Sequence, residues 1–351
     1  MVRIPAGVLG ATGIVGQRLV RALASHPWFA LAAITASERK AGERYRDACP
    51  WKLPTPIPEP AASMRLRPTD ASAMSDVGIV FSALPADAAR SIEPQLAEAG
   101  LVVSSNASAF REAPDVPLII PEVNADHLAL LERQRQARGW SGALVTNPNC
   151  TVSGIATVLK PLADAFGLRA VVSTSMQAIS GAGYPGVAAI DILDNLVPWI
   201  PAEEEKIEAE TRLLLGSIDS SGQSPGAFDV SAHANRVAVS HGHTVCLSIG
   251  FNRPAEPTEV ARVLAAYRAD PEVSELPSAP DRVIRVVEAP DRPQPRLDRD
   301  AEDGMAVTVG RIRPCNLFDI RLVLVVHNAA RGAAGGSILN GELLRRRGFV
   351  R

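Results

Sequence analysis

In Asn147-Pro148-Asn149-Cys150 a thiol stands directly before Val152, Ile155, Leu159 and Leu162, which recur at helical spacing. Upstream, the residues from Gly142 to Thr146 read as a short apolar strand, so Cys150 sits where a strand hands over to a helix. First-turn amides have no intrahelical partner and the helix dipole is positive there, which favours a thiolate over a thiol. A cysteine kept only for packing needs no polar, turn-forming lead-in of this kind, and the chemistry it suggests is attack by sulfur. A proton acceptor is on offer in the stretch Arg236-Val237-Ala238-Val239-Ser240-His241-Gly242-His243. An imidazole titrates near neutral pH and can take a proton from a thiol, so His241 and His243 are both candidates for general base.

The residues around this centre must be held by a scaffold, and the first part of it reads as a nucleotide site. Gly7 to Leu9 end a strand, Gly10-Ala11-Thr12-Gly13-Ile14-Val15-Gly16 follow, and an amphipathic helix runs from Gln17 to Ala24. Glycines between a strand and a helix let the backbone approach a pyrophosphate, which the helix start then stabilises. The spacing is G-x-x-G-x-x-G, and the strand, turn and helix around it supply the context the glycines need. The second strand, Ala30 to Thr35, ends in Ser37-Glu38-Arg39-Lys40. A hydroxyl with basic neighbours suits the 2′-phosphate of NADP, while Glu38 keeps NAD open. Further strands at Val77 to Phe81 and Leu101 to Val103, with a helix from Ala86 to Glu98 between them, give the alternation of a doubly wound parallel sheet. Ser82 to Pro85 then face the cofactor crevice, and Ser104 to Arg111 reads either as an oxyanion pocket or as a capped loop.

Downstream, an apparent strand from Arg169 to Ala178 runs into Ile179 to Gly186, whose glycines and hydroxyls allow close approach to a ligand; Gln177 at its entry can donate and accept. The Arg236 stretch reads as the polar tip of a strand continuing through Thr244 to Ile249, and the last strand is Ile320 to Val326. A small-residue run from His327 to Gly336 leads into a final helix, Ser337 to Arg346, expected to pack back on the nucleotide domain with Asn328 in reach of the cofactor.

A chain of 351 residues accommodates two domains. Its 36 basic and 38 acidic residues make no field that would recruit nucleic acid or an anionic membrane. Apolar runs end well short of the roughly 20 residues of a membrane span, and no signal-peptide pattern opens the chain. A cytoplasmic protein is expected. Four scattered cysteines without a CxxC pair suggest neither a disulfide framework nor a metal site.

Taken together, the blocks Gly10 to Gly16, Ser104 to Arg111, Asn147 to Thr151, Gln177 to Gly186, Glu203 to Lys206, Arg236 to His243 and Asn328 to Asn340 resemble the aspartate-β-semialdehyde dehydrogenase family, in its archaeal and fungal branch. The resemblance implies an α/β fold: a Rossmann-type sheet over residues 1–149, completed by a C-terminal helix in 329–351, and an α+β catalytic and dimerisation domain over 150–328. It implies Cys150 as nucleophile and His243, not His241, as its acid/base partner. Arg236 becomes the clamp for a substrate carboxylate, Glu203 the partner of its ammonium group, Gln177 an orienting residue and Asn149 a further substrate-binding residue, with Arg111 and Lys206 on the phosphate. The NADP-facing set is Gly10, Thr12, Gly13, Ile14, Val15, Ser37, Arg39, Lys40, Ser82, Leu84, Ser180, Gly181 and Asn328. The implied reaction interconverts L-4-aspartyl phosphate with NADPH and L-aspartate 4-semialdehyde with phosphate, through a thioester whose oxyanion sits on amides near the helix start, in a homodimer or homotetramer. N-acetyl-glutamyl-phosphate and malonyl-CoA reductases share this architecture, and a dinucleotide-binding protein without catalysis is the alternative of another kind. Ala238 replaces a usual proline, Ser240-His241 fills an often acidic stretch, and Lys40 replaces a common serine. The first two lie near the substrate pocket and bear on substrate identity more than on reaction type.

Overall fold

The computed structural model describes residues 2–219 and 222–350. Five strands, β1 (Ile4–Leu9), β2 (Phe29–Ile34), β3 (Ile79–Ser82), β4 (Val102–Ser105) and β5 (Ala143–Thr146), form an all-parallel sheet in the order β2-β1-β3-β4-β5. Strands covered on both faces read as continuous apolar runs, as β3 and β5 do. The helix Ile14–Ala24 buries Gly16, Leu19, Val20 and Leu23, one face at helical spacing, against the sheet. The C-terminal helix Gly335–Arg346 returns to this sheet. Its Ile338, Leu339, Leu343 and Leu344 share a core with Val8, Phe81 and Val145, and Ser337 Oγ lies 2.9 Å from Ser104 Oγ of β4.

The second sheet is mixed. It is built from β6 (Leu168–Gln177), β9 (Asp229–Arg236), β10 (His243–Phe251), β11 (Ile284–Val286), β12 (Val307–Pro314) and β13 (Ile320–Val326), in the order β11-β12-β13-β10-β6-β9. A separate hairpin pairs β7 (Ser217–Asp219) with β8 (Gly222–Ser224). Against the second sheet runs the helix Cys150–Phe166, apolar almost all round, with Val152, Ile155, Val158, Leu159 and Leu162 buried. A helix of that kind needs neighbours on every side. Here they are β6, β10 and β13 on one side and the helices Glu203–Leu214 and Pro257–Ala266 elsewhere.

One connection differs from the sequence reading. Arg236 and His243 do not share a strand: Arg236 ends β9, His243 begins β10, and both strands flank β6. In the register of β6, Gln177 lies beside Arg236 and Met176 beside Thr244. Three neighbouring strands therefore deliver Gln177, Arg236 and His243 to the same end of the sheet.

Candidate active site

That end of the second sheet faces the carboxyl ends of the first, across a cavity of about 670 Å³. Crevices at the carboxyl ends of parallel strands are where open α/β sheets bind ligands. Gly13, Ile14, Val15, Leu84, Asn106, Arg111, Asn149, Cys150, Gln177, Ser180, Gly181, Glu203, Lys206, Arg236 and Asn328 all line it.

Cys150 is the first residue of its helix, and Sγ lies 3.1 Å from His243 Nε2. His241 is turned elsewhere, its Nδ1 lying 2.9 Å from Ser180 Oγ. Gly332 backs the nucleophile so closely that a Cβ there would fall 2.7 Å from Cys150 Cβ, which leaves room for no side chain. Sequence reasoning passed over this contact, because a lone glycine in a small-residue run does not announce what it touches.

The state of the thiol departs from the sequence expectation. Asn149 caps the helix: its Oδ1 accepts from Thr151 N at 2.8 Å and from Val152 N at 3.2 Å. Two of the amides expected to favour a thiolate, and to hold an oxyanion, are therefore already bonded, and the Cys150 amide alone acts in that direction. Burial and then the Glu203 carboxylate push the Cys150 thiol up to about 12, against Arg111 and Arg236, which pull it down. Burial, with Arg236 and His241, pushes His243 down to about 3. Burial thus works against both charged forms, the thiolate and the imidazolium.

Around the pair runs a chain of buried hydrogen bonds. Glu203 Oε1 accepts from Asn149 Nδ2 and Gln177 Nε2, each at 2.9 Å. Glu210 accepts from Arg111 Nη1 at 3.0 Å and from the Asn149 amide at 2.6 Å. Burial raises the Glu210 carboxyl, opposed by Arg111 and that amide. Glu210 was missed in the sequence, although it lies two helical turns beyond Glu203 on the same face, a spacing that could have flagged it. Arg111 also donates from Nη2 to the Asn106 carbonyl at 2.8 Å, while its Nε is buried without a partner. A buried guanidinium lining a cavity is suited to an anion. Arg236 donates from Nη1 to the Ala178 carbonyl at 2.8 Å, and its burial lowers its pKa. Lys206 lines the same wall.

The opposite wall fits a dinucleotide. Gly10 has φ +71°, and a Cβ there would lie 2.8 Å from the Ala83 carbonyl oxygen. Only glycine lets the turn pass so close to the neighbouring strand. The helix that follows starts at Gly13 with no side-chain cap, leaving its first turn to the crevice. Thr12 is partly buried in the same turn and its carbonyl accepts from Gln17 Nε2. Ser37 and Arg39 are exposed beyond the end of β2, where they can meet a 2′-phosphate. Lys40 is folded back, Nζ donating to the Ala48 carbonyl at 2.9 Å.

Two residues are placed differently from expectation. Ser82 is fully buried and does not line the crevice: its side chain lies beside Glu93, and only its carbonyl points towards Asn106, accepting from that residue's amide and Nδ2. The last residue of a strand alternates in face like any other, and this one turns inward. Asn328 lines the crevice, but its amide is already bonded, Nδ2 to Ser180 Oγ and Oδ1 to the Gly242 amide, both at 2.9 Å. It fastens the two loops that flank His243.

Comparison with known proteins gives a consistent picture. The family model described as semialdehyde dehydrogenase, NAD binding domain, matches residues 5–131, and that described as semialdehyde dehydrogenase, dimerisation domain, matches residues 159–331. The aspartate-semialdehyde dehydrogenase of Archaeoglobus fulgidus is 48% identical over 97% of this chain and 98% of that protein. The enzyme of the same name from Schizosaccharomyces pombe is 47% identical over 98% of each. Among solved structures, aspartate semialdehyde dehydrogenase with NADP from Candida albicans superposes with a TM-score of 0.92, at 41% identity, over 99% of this chain and 100% of that one. Fold and crevice thus define the semialdehyde dehydrogenase class, a dinucleotide-binding sheet facing a thiol mounted on a mixed-sheet domain. Within that class, the chain belongs to the aspartate-semialdehyde dehydrogenase family.

Proposed function

We propose that this protein interconverts L-4-aspartyl phosphate and L-aspartate 4-semialdehyde, with NADP as redox partner and phosphate as co-substrate, through a thioester on Cys150. The observation that carries the reading is Sγ at 3.1 Å from His243 Nε2 in one cavity with Arg111, Glu203, Arg236 and the Gly13 helix start. Sulfur displaces phosphate from the acyl group, and His243 is its hydrogen-bonding partner. NADPH, when bound, supplies the hydride that takes the thioester to the aldehyde. Gly10, Gly13, Ile14 and Val15 would hold its pyrophosphate, Ser37 and Arg39 its 2′-phosphate, and Leu84, Ser180 and Gly181 its remaining contacts.

The substrate is read from the charges opposite the thiol. The planar fork of Arg236 takes the α-carboxylate, and Glu203, oriented by Asn149 and Gln177, takes the ammonium group. Arg111 and Lys206, both on the cavity wall, take the phosphate. A free amine beside Glu203 separates this substrate from an N-acetylated acyl phosphate or a malonyl thioester. We assign the nucleotide domain to residues 1–149 and 329–351 and the catalytic domain to 150–328. Dimerisation through the second sheet is supported by its outer face, where Thr174, Cys246 and Val323 stand in register and none is buried. No helix among the described residues is long and apolar enough to cross a membrane. A working free thiol suits the reducing cytoplasm.

The test is oxidation of L-aspartate 4-semialdehyde by the purified protein, with NADP beside NAD and with phosphate present or withheld. Activity that requires phosphate and prefers NADP supports the reading. Greater activity with N-acetyl-glutamate semialdehyde or malonate semialdehyde overturns the substrate assignment.

A further inference from the structure

We infer that Arg331, clamped by the buried Glu122 carboxylate, is a positioning residue for the nucleophile: it holds the wide turn that seats Gly332 behind Cys150. The inference rests on Cys150 as the nucleophile of the reaction proposed above. Arg331 donates from Nη2 to Glu122 Oε1 at 2.5 Å and from Nε to the Met305 carbonyl, and the two charged side chains are 2% and 1% exposed. Glu122 belongs to the short helix Pro121–Asn124, and its own carbonyl accepts from the Tyr267 hydroxyl. One guanidinium thus gathers four segments that lie far apart in the sequence.

A buried ion pair adds little to stability beyond what apolar residues of similar volume provide. What this pair supplies is geometry. From Ala330 to Ala334 the backbone makes one turn of π type, in which Gly332 N donates to the His327 carbonyl at 3.1 Å and Ala334 N to the Ala329 carbonyl at 3.3 Å, each five residues back. Turns of this width are rare and are found most often at functional sites. The regular alternative is the four-residue spacing of the helix that follows. Relaxation to it would shift the register by one residue, about 100° of rotation about the helix axis. That helix, Gly335–Arg346, is fixed in the core of the first sheet by Ile338, Leu339 and Leu343, so the rotation would fall upstream, on Gly332.

The displacement would be felt at the thiol. A Cβ on Gly332 would fall 2.7 Å from Cys150 Cβ and 2.9 Å from its Cα, so the two backbones are already in contact. The same turn holds Asn147, which opens the cysteine motif and donates from Nδ2 to the Ala333 carbonyl at 3.3 Å. Arg331 acts here through packing and not through its field, since the charged side chains acting on the sulfur are Glu203, Arg111 and Arg236. Glu122 fixes the guanidinium, the guanidinium fixes the turn, and the turn fixes where the sulfur stands.

The test uses the full-length protein in two variants. Glu122→Gln combined with Arg331→Met removes both charges at similar volume, and its melting temperature should stay close to that of the wild type. Its kcat for oxidation of L-aspartate 4-semialdehyde should fall by about 10–100-fold, the scale of a misplacement on the order of 1 Å at the reacting atom, while KM for NADP holds. Arg331→Lys keeps the charge but loses the planar fork that reaches Glu122 and Met305 together, and kcat should fall in the same way; should the double variant not fold, this one decides. A pair that only stabilises the fold would lower the melting temperature and leave kcat of the folded protein at the wild-type value, and that result overturns the inference. So does an equal loss of NADP binding, which would mean that the pair holds the whole crevice and not the thiol. A crystal structure of the double variant should show four-residue bonding through residues 330–334 with Gly332 drawn off Cys150; the wide turn still in place overturns the inference even where activity has fallen. Wild-type protein inert to L-aspartate 4-semialdehyde would instead overturn the substrate reading, and the same crystal structure would still decide for or against the turn.

Discussion

Two helices begin at the same crevice and use their first-turn amides in opposite ways. Ile14–Ala24 starts at Gly13 without a side-chain cap, so its amides and dipole are left for a ligand. Cys150–Phe166 starts at Asn149, whose side chain takes the Thr151 and Val152 amides. An uncapped start is an anion site. A capped start is a mount: it fixes the thiol's position and leaves only the Cys150 amide of that turn to favour a thiolate, and Asn149 is in turn held by Glu203 and Glu210. Much of the polarity that one helix offers to the cofactor is taken up in the other by the scaffold, and the groups that favour a thiolate there are Arg111, Arg236 and the Cys150 amide.

If the second helix is a mount for one reacting atom, removing that atom should separate the two functions completely. Cys150→Ala is expected to bind NADPH as the wild type does, measured by fluorescence titration, while turnover falls on the order of 10⁴–10⁶-fold. Retained turnover would break the comparison at its root. A smaller effect is expected from giving the first helix the cap it lacks. Gly13 has φ −76°, and a Cβ there would meet only the Gly10 carbonyl oxygen, at an ordinary 3.5 Å, so Gly13→Asp can be accommodated. Its carboxylate would cap the helix and repel the pyrophosphate. The Michaelis constant for NADPH should rise by roughly 10–100-fold, the weight of about 1.5–3 kcal/mol of lost dipole attraction and added repulsion. The melting temperature of the cofactor-free protein should hold steady or rise, since aspartate is a better N-cap than glycine. An unchanged constant would mean that this helix start is not where the anion sits.

The first of these helices was readable from glycines, strand and amphipathic run together, and so were the helix Ala86–Glu98 and the strand Ile320–Val326, whose apolar patterns are strong. The cap on the second was also in plain sight, since asparagine is a preferred N-cap, but its consequence for the thiol depends on which atoms its side chain reaches. β9 left almost no trace because its inward positions are Ala232 and Ala234, too small to stand out against Ser231, His233 and Asn235. That is why Arg236 and His243 read as one strand when the first ends β9 and the second begins β10. Glu210 was hinted at only by its helical spacing from Glu203, and its contacts with Arg111 and the Asn149 amide join distant segments that no local pattern records. Which of two histidines meets the sulfur was likewise undecided by local sequence and is a matter of sheet register.

The comparison can be sharpened further at the outer end of the nucleotide crevice, where the effect is smallest. The helix start at Gly13 carries no information about the 2′-position of the ribose, so any preference for NADP must come from groups past the end of β2. Of the three residues there with suitable chemistry, Lys40 is tied to the Ala48 carbonyl, which leaves Arg39 as the mobile cation and Ser37 as a hydroxyl donor. Arg39 is exposed, and an ion pair made in water contributes at most about 1 kcal/mol. Arg39→Ala should therefore raise the Michaelis constant for NADPH by about two- to fivefold and leave that for NADH unaltered. The increase should shrink as salt is added, because a solvated contact is screened. A parallel loss with both cofactors would place Arg39 on the pyrophosphate or in the fold, and NADP selection would then have to lie with Ser37 or with a released Lys40.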